Sequence, residues 1–497
     1  MISSYYGMDM ASKLLTKSKY MNGLQCLKLL WLIFNDPARV PEPDASTQHI
    51  FDQGHLVGEL AKQLYPGGIN IPHDNFRENI NRTTQFLASR KPLFEAGFMV
   101  DKLFCRVDIL NPAQDGRWDI VEVKSSTAVK EENLHDVAFQ KFCLEKQGLI
   151  IHKCYLAFIN NQYVRQGEID SAQLFRVQDI TEDVGSVSQG IEDRIASMFE
   201  TITARECPEI PIGGYCSDPY DCPVIYCREC LPAHNIFELY RGGKKCFELF
   251  YSGVLNIKDI PAHIKLSRAQ EIQKWCDIFG TPHIEKPSIK EFLSTLKAPL
   301  HYLDFETINP AVPLFDGIRP YQKVPFQFSL HISEGRKLRH DGFLAEEKHD
   351  PRPAFLRRLK ETIGPTGSIV TYNQAFEEGV LKELAEAFPD YAEWVTGIRE
   401  RLVDLLKPFQ NFHYYDPLQK GSASIKHVLP ALTGHGYQEM GIAGGEQASL
   451  SFLQVTYGEA TEEERRQVRA DLEKYCGLDT EGMVWIMERL GKVGRGR

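Results

Sequence analysis

Two periods of apolar and polar alternation run along this chain, and the switch from one to the other marks its elements. GHLVGELAKQLY (Gly54 to Tyr65) has helical apolar spacing. FCRVDIL (Phe104 to Leu110) and WDIVEVKSS (from Trp118) alternate as strands, DVAFQKFCLEKQG (Asp136 to Gly148) is a helix closed by glycine, and CYLAFI (Cys154 to Ile159) is an apolar strand. After a Cys/Pro/Gly-rich stretch from Cys207 to His234 and a short helical connector, a second mixed unit begins. HYLDFETI and GSIVTYN (Gly367 to Asn373) are its strands and FEEGVLKELAEAF (Phe376 to Phe388) an amphipathic helix. Thr461 and Glu464 form a capping box at the start of the helix carrying Tyr475. The expected organisation is α/β throughout, with domains at 1–235 and 297–491 and a mainly helical connector at 236–296. No fixed-period repeat is present, which excludes solenoids.

Composition narrows the class. With 497 residues the prior is about three domains. The 43% hydrophobic and 25% charged fractions are those of a folded chain. The start offers no h-region with a cleavage site, and the apolar run Leu29 to Phe34 is shorter than a membrane span, so a cytoplasmic protein without membrane contact is expected. The net charge of −10 excludes a polycationic nucleic-acid binder, but carboxylate-lined metal sites remain compatible with it.

Three constellations carry chemistry. In VEVKSS, alternation puts Glu122 and Lys124 on one strand face and Val121 and Val123 on the other, with Asp108 on the preceding strand. Two carboxylates suit Mg²⁺ or Mn²⁺, and an ammonium can position a water or offset phosphate charge. Taken alone, ExK reads first as a surface ion pair, with Asp108 merely solvated. The second constellation is cysteine: of twelve, Cys216, Cys222, Cys227 and Cys230 fall within fifteen residues and Cys26 stands apart. Four local thiolates would suit Zn²⁺; Cys26 with three of them would suit a [4Fe-4S] cluster. In the third, Asp304 and Glu306 share a strand face, Asn373 and Glu377 lie four apart at a helix start, and Tyr475 and Asp479 lie four apart on a helix. Four acids and a tyrosine are the parts of a two-metal hydrolytic site. Asp404 is a further acidic candidate, equally a cap. Lys420, Ser422, Ser424, Lys426 and His427 form a stretch suited to phosphate or to plain solvation.

The D-x13-ExK spacing, followed by a helix with Gln140, resembles the PD-(D/E)xK nucleases of the RecB and Cas4 type. That resemblance implies a restriction-endonuclease-like fold with Asp108, Glu122, Lys124 and Gln140 in the site. It also implies the cluster reading, with Cys26, Cys216, Cys222 and Cys227 as ligands and Cys230 spare. Two departures stand out. The Gly-x-x-x-His spacing from Gly54 ends at Gly58, leaving His55 or Glu59 as substitutes, and the tyrosine four residues after the glutamine is Leu144. The ordered DxE, Asn-x2-Phe-acid and Tyr-x3-Asp motifs resemble DnaQ-like DEDDy 3′–5′ exonucleases of RNase H-like fold, with Glu377 replacing the usual Asp. YNQAFE and GSASIKHVLPAL look like the bacterial family of DUF2779 domain proteins, over nearly the full chain. The resemblances imply a metal-dependent nuclease with two sites acting on DNA, single-stranded or end-containing, with RNA as the other substrate. The competing expectations are a decayed nucleic-acid-binding scaffold and a zinc-stabilised interaction protein.

Overall fold

A computed structural model describes residues 13–224, 226–346, 348–438 and 440–495. The first twelve residues, on which the reading of a missing secretory signal partly rests, lie outside the described residues. The protein forms two compact units, Met1–Cys230 with Pro310–Tyr321, and Leu231–Asn309 with Gln322–Arg497. Each is mixed α/β. The segment expected as a connector, 236–296, belongs to the second unit. Among the described residues no helix is long and apolar enough to cross a membrane.

The first unit is built on seven strands: β1 (Leu15–Thr16), β2 (Ile69–Asn70), β3 (Leu93–Val100), β4 (Leu103–Pro112), β5 (Trp118–Lys124), β6 (Ile151–Ile159) and β7 (Phe175–Asp179). Their order is β2-β3-β4-β5-β6-β7, with β1 pairing off this path with β4. β3, β4 and β5 are antiparallel neighbours, and β6 runs parallel to β5. The β4–β5 ladder stops at Ile109 and Val121. Beyond that pair β5 follows β6 to Lys124, while β4 takes β1 as a parallel neighbour at Leu103 and Phe104. The two strands therefore fork, and the fork opens at Asp108 and Glu122.

Five helices matter to this sheet: α1 (Lys17–Gln25), α2 (Leu27–Asn35), α3 (Ala45–Ala61), α4 (Glu131–Lys146) and α5 (Ile191–Thr203). On one face Tyr20, Phe139, Leu144 and Met198 pack with Cys105, Val107 and Ile120. On the other, Val57 and Ala61 of α3 pack with Ile109, Val121 and Ala157. The alternation read from VEVKSS is realised: Val121 and Val123 join the second core, and Glu122 and Lys124 face α4. Thr16 caps α1 by accepting from Lys19 N–H at 3.3 Å. Cys26 breaks the helical path in an extended conformation, ending α1 and starting α2.

The second unit holds β9 (Leu300–Ile308), β10 (Val324–Glu334), β11 (Lys337–Leu344), β12 (Ile369–Thr371) and β13 (Leu402–Asp404) in the order β11-β10-β9-β12-β13. A separate pair joins β8 (His283–Ile284) to β14 (Tyr414–Tyr415). β9, β10 and β11 are antiparallel, and β12 and β13 continue parallel to β9. Helices α6 (Arg268–Phe279), α7 (Gln374–Ala387), α8 (Ile425–Thr433), α9 (Gly445–Tyr457) and α10 (Glu462–Arg495) complete the parts that bear on the site. The Thr461–Glu464 capping box starts α10 as expected. This long helix is fixed to β10 by Gln327 Nε2 donating to Leu472 O at 2.9 Å and by a 2.7 Å contact between the Ser329 and Thr480 hydroxyls. That seating brings the middle of α10 over Asp304.

Tyr20 and Phe139, both fully buried, stack with ring centroids 4.6 Å apart and lock α1 onto α4. Phe139→Ala should destabilise the first unit by about 3–5 kcal/mol through lost burial and a cavity. Urea unfolding of the full chain checks this, and a loss below about 1 kcal/mol would show that the stack contributes little.

Candidate active sites

At the fork in the first unit Asp108, which has no ladder partner on either neighbouring strand, turns its carboxylate to the missing place. Its Oδ2 accepts the Val123 N–H at 2.8 Å. Glu122, Lys124 and Gln140 come together beside it. Lys124 Nζ donates to Glu122 Oε1 at 2.6 Å, and Gln140 Nε2 donates to Glu122 Oε2 at 2.6 Å. Two residues that the sequence reading left out complete the arrangement. Asp136, one helical turn before Gln140 on α4, takes Lys124 Nζ at 2.7 Å and Gln140 Nε2 at 3.1 Å. Lys17, the first residue of α1, places its Nζ 2.9 Å from Glu122 Oε1 and 3.3 Å from Asp136 Oδ1. Asp136 was accessible to inspection, since an i, i+4 pair with Gln140 shares a helical face; Lys17 lies 105 positions from Glu122 and gives no local signal.

Burial and the Asp108 charge push the Glu122 carboxyl up, but the two lysines outweigh them and leave it below its ordinary value. Burial raises Asp108, against the pull of Lys17 and Lys124. For Lys124, burial works against the charged form and is overcome by Asp136 and Glu122, so its ammonium is held well above its ordinary range. The expected substitutes for the missing histidine are not in this ring. His55 and Glu59 are exposed on α3, and Glu59 pairs with Lys62; their helical turn presents them to solvent. Leu144 is core.

Cys26, Cys216, Cys222 and Cys227 line one cavity of the first unit, together with Leu29, Ile212 and Val224. Cys230 is exposed and outside it. Gln25 ties the cysteine loop to the end of α1, its Nε2 donating to Tyr215 O at 2.8 Å and Tyr220 O at 2.6 Å. Burial raises the Cys26, Cys222 and Cys227 thiols. Among the described residues no three of these thiols lie within 4.8 Å of one another.

In the second unit the strand face of β9 presents Asp304 and Glu306, α7 presents Glu377 and α10 presents Tyr475, Cys476 and Asp479. One ligand atom from each of Asp304, Glu306 and Cys476 lies within 4.8 Å of the others. Cys476, fully buried, donates its thiol to Asp304 Oδ2 at 3.5 Å. Glu377 is 1% exposed, and its Oε2 has no hydrogen-bond partner. The glycine pair at the start of α9 makes room here: a Cβ on Gly445 would meet Glu306 Oε2 at 3.4 Å, and one on Gly444 would meet Lys426 Nζ at 2.9 Å. Burial, then the charge of Asp479, drives Asp304 well above the ordinary carboxylate range. Burial with Asp304 and Asp479 does the same to Glu306, and burial with Asp304 to Glu377. Asp479 is pushed up to about 6 by burial, with Tyr437, Lys426 and Tyr475 pulling the other way. The charge of Lys426 acts on Glu306 and Asp479, and that of Lys323 on Glu377.

Tyr437 is the residue the sequence reading missed in this site. Its hydroxyl donates to Asp479 Oδ1, and its ring lies 6.1 Å from that of Tyr475. It sits in a glycine-rich run with no periodic signal. Of the stretch expected to suit phosphate, Lys426 faces the acids with its Nζ 5.9 Å from the Tyr475 ring, whereas Lys420 faces Glu238. Asp404 accepts the N–H groups of Asn373 and Leu406, both at 3.0 Å, which is the capping role.

Residues 301–424 match the family described as "Domain of unknown function (DUF2779)". The expected resemblance over nearly the full chain narrows to this segment, which carries Asp304, Glu306 and Glu377 and stops before Tyr475 and Asp479. The chain is 28% identical over 223 residues to "Uncharacterized protein MG366" of Mycoplasma genitalium, covering 40% of this chain and 33% of that protein. It is 26% identical over 217 residues to "Uncharacterized protein MG366 homolog" of Mycoplasma pneumoniae, covering 40% and 33%. "Uncharacterized protein UU173" of Ureaplasma parvum is 26% identical over 222 residues, covering 39% and 32%. The chain thus spans about a third of the length of these curated relatives.

Asp479 gives a stability prediction. A carboxyl that titrates at about 6 when folded and near ~3.9 when unfolded makes the folded state bind more protons between those values. Stability from this group is present below about pH 4 and lost as pH rises through about 6. The melting temperature of the second unit should fall across that window, the fall should shrink in Asp479→Asn, and Mn²⁺ should reverse it near pH 7. Calorimetry over pH, with and without Mn²⁺, measures all three.

Proposed function

We propose that this protein is a divalent-metal-dependent nuclease that hydrolyses phosphodiester bonds of DNA, with a DEDDy-type 3′–5′ exonuclease centre in the second unit and a PD-(D/E)xK-type centre in the first. The observation that carries the reading is the convergence of Asp304, Glu306, Glu377 and Asp479, all buried or nearly so, with too little positive charge to balance them. Four such groups repel unless protons or cations intervene. The unpartnered Glu377 Oε2 and the closeness of the Asp304 and Glu306 oxygens fit hard divalent ions. The strand order β11-β10-β9-β12-β13, a hairpin followed by a parallel pair, supports an RNase H-like reading of this unit. The forked β4–β5 pair followed by α4 and parallel β6 supports a restriction-endonuclease-like reading of the first.

Asp304, Glu306, Glu377 and Asp479 would hold the ions. When bound, Mg²⁺ or Mn²⁺ would polarise the phosphate and lower the pKa of water. The Tyr475 hydroxyl, beside Asp479, would orient the attacking water, and Tyr437 would keep the Asp479 carboxylate turned toward the site. Lys426 offsets phosphate charge. The water oxygen bonds to phosphorus, the bond from phosphorus to the 3′ oxygen breaks, and the leaving oxygen takes a proton, so released nucleotides carry 5′-phosphates. In the first unit the cavity of Cys26, Cys216, Cys222 and Cys227 would hold a [4Fe-4S] cluster that ties the start of the unit to its end.

Degradation of end-labelled single strands with Mn²⁺ tests the reading, with Asp304→Ala and Glu122→Ala assayed separately. Asp304→Ala should lower 3′–5′ trimming by at least about a hundredfold, as loss of a metal-holding carboxylate does. Trimming unchanged in Asp304→Ala, or no Mn²⁺-dependent products at all, would remove the enzyme reading in favour of a nucleic-acid-binding scaffold. Protein prepared without oxygen should be brown, with broad absorption near ~400 nm from thiolate-ligated iron; a colourless protein carrying zinc would count against the cluster.

A further inference from the structure

The first site presents a difficulty for a metal-dependent reading: its best carboxylate is already taken. Glu122 Oε1 holds two ammonium groups, from Lys17 at 2.9 Å and Lys124 at 2.6 Å, and its Oε2 holds Gln140 at 2.6 Å. Asp136 is occupied in the same way, with Lys17 at 3.3 Å and Gln140 at 3.1 Å on Oδ1 and Lys124 at 2.7 Å on Oδ2. As arranged, Glu122 Oε1 offers a divalent ion no free approach, because two ammonium groups share it. Both lysines bridge the same two carboxylates, and a site with Asp108, Glu122 and Asp136 against Lys17 and Lys124 has three negative charges facing two positive.

We propose that Lys17 is the resident counter-cation of this site and sets its affinity for divalent metal, because an ion reaches Glu122 Oε1 only when the Lys17 ammonium gives up its place there. The proposal rests on the reading of the first unit as metal dependent. Lys17 is the lysine that leaves, on two grounds. Its contacts, at 2.9 and 3.3 Å, are longer than those of Lys124, at 2.6 and 2.7 Å. And it stands at the first position of α1, whereas the backbone of Lys124 is held in a ladder with Phe158 of β6. Once Lys17 is gone, three carboxylates face one ammonium, and the remaining two negative charges match one divalent ion.

The test measures Mn²⁺ binding by electron paramagnetic resonance of the free ion. It uses the full chain carrying Asp304→Asn and Asp479→Asn to silence the second site, with Glu122→Gln marking what belongs to the first. Lys17→Met should tighten Glu122-dependent binding by at least about tenfold, the direction Coulomb attraction sets when a neighbouring like charge is removed. Lys17→Arg, which keeps the charge, should stay near the parent affinity. A lysine that merely braces the fold would weaken binding when removed. Unchanged or weaker binding in Lys17→Met therefore overturns the proposal while leaving the metal reading intact. Absence of Glu122-dependent Mn²⁺ in every variant overturns both. The unmutated chain gives a second measurement that does not depend on how Lys17→Met folds: acylation of Lys17 by an amine-reactive ester, read by mass spectrometry, should rise several-fold when Mn²⁺ is added. Labelling that is the same with and without Mn²⁺ overturns the proposal.

Discussion

Carboxylates held out of water must be matched by charge, protons or hydrogen bonds, and that single demand shapes both units. In the first, Glu122 and Asp136 are matched by two ammoniums and an amide, all within hydrogen-bond reach, and the result is a closed ionic ring. In the second, the positive charges that offset Asp304, Glu306, Glu377 and Asp479 among the described residues are those of Lys426 and Lys323, and burial drives every one of the four upward. One arrangement carries its counter-charge in the sequence. The other holds its acids with their carboxyls raised.

The sheets explain how such unfavourable groups come to be held at all. Glu122 occupies a strand position whose neighbours Val121 and Val123 are committed to an apolar core, so the chain cannot turn it away without exposing them. Asp304 is fixed in the same manner between Leu303 and Phe305, both buried in the core of the second unit. The apolar partners on the far face therefore hold the acids in place. The fork between β4 and β5 adds a second device. Where two strands stop pairing, backbone groups fall free, and Asp108 satisfies one of them, Val123 N–H, with its own side chain.

Much of this was legible in the order of residues, for physical reasons that differ by element. β5 was readable because alternation separates valines from Glu122 and Lys124, and Tyr475 and Asp479 were readable because four residues make about one helical turn. β10 was not read, since VPFQFSLHI is buried at every position on both faces and so lacks the period of two. Lys17 and Tyr437 were beyond reach because their roles depend on chain segments 105 and 42 residues distant meeting in space. The substitution of His55 or Glu59 failed for a local reason: on α3 the buried stripe runs through Val57 and Ala61, which turns both polar residues outward.

Cys26 ends a helix of nine residues whose first residue is Lys17, and at ~1.5 Å per residue such a helix spans roughly 13 Å. Tyr20, stacked on Phe139, lies between its ends. α1 thus runs from an ionic ring at one tip to a nest of thiols at the other, with an aromatic stack pinning it between them. Two chemically unlike sites of the first unit therefore rest on a single nine-residue segment.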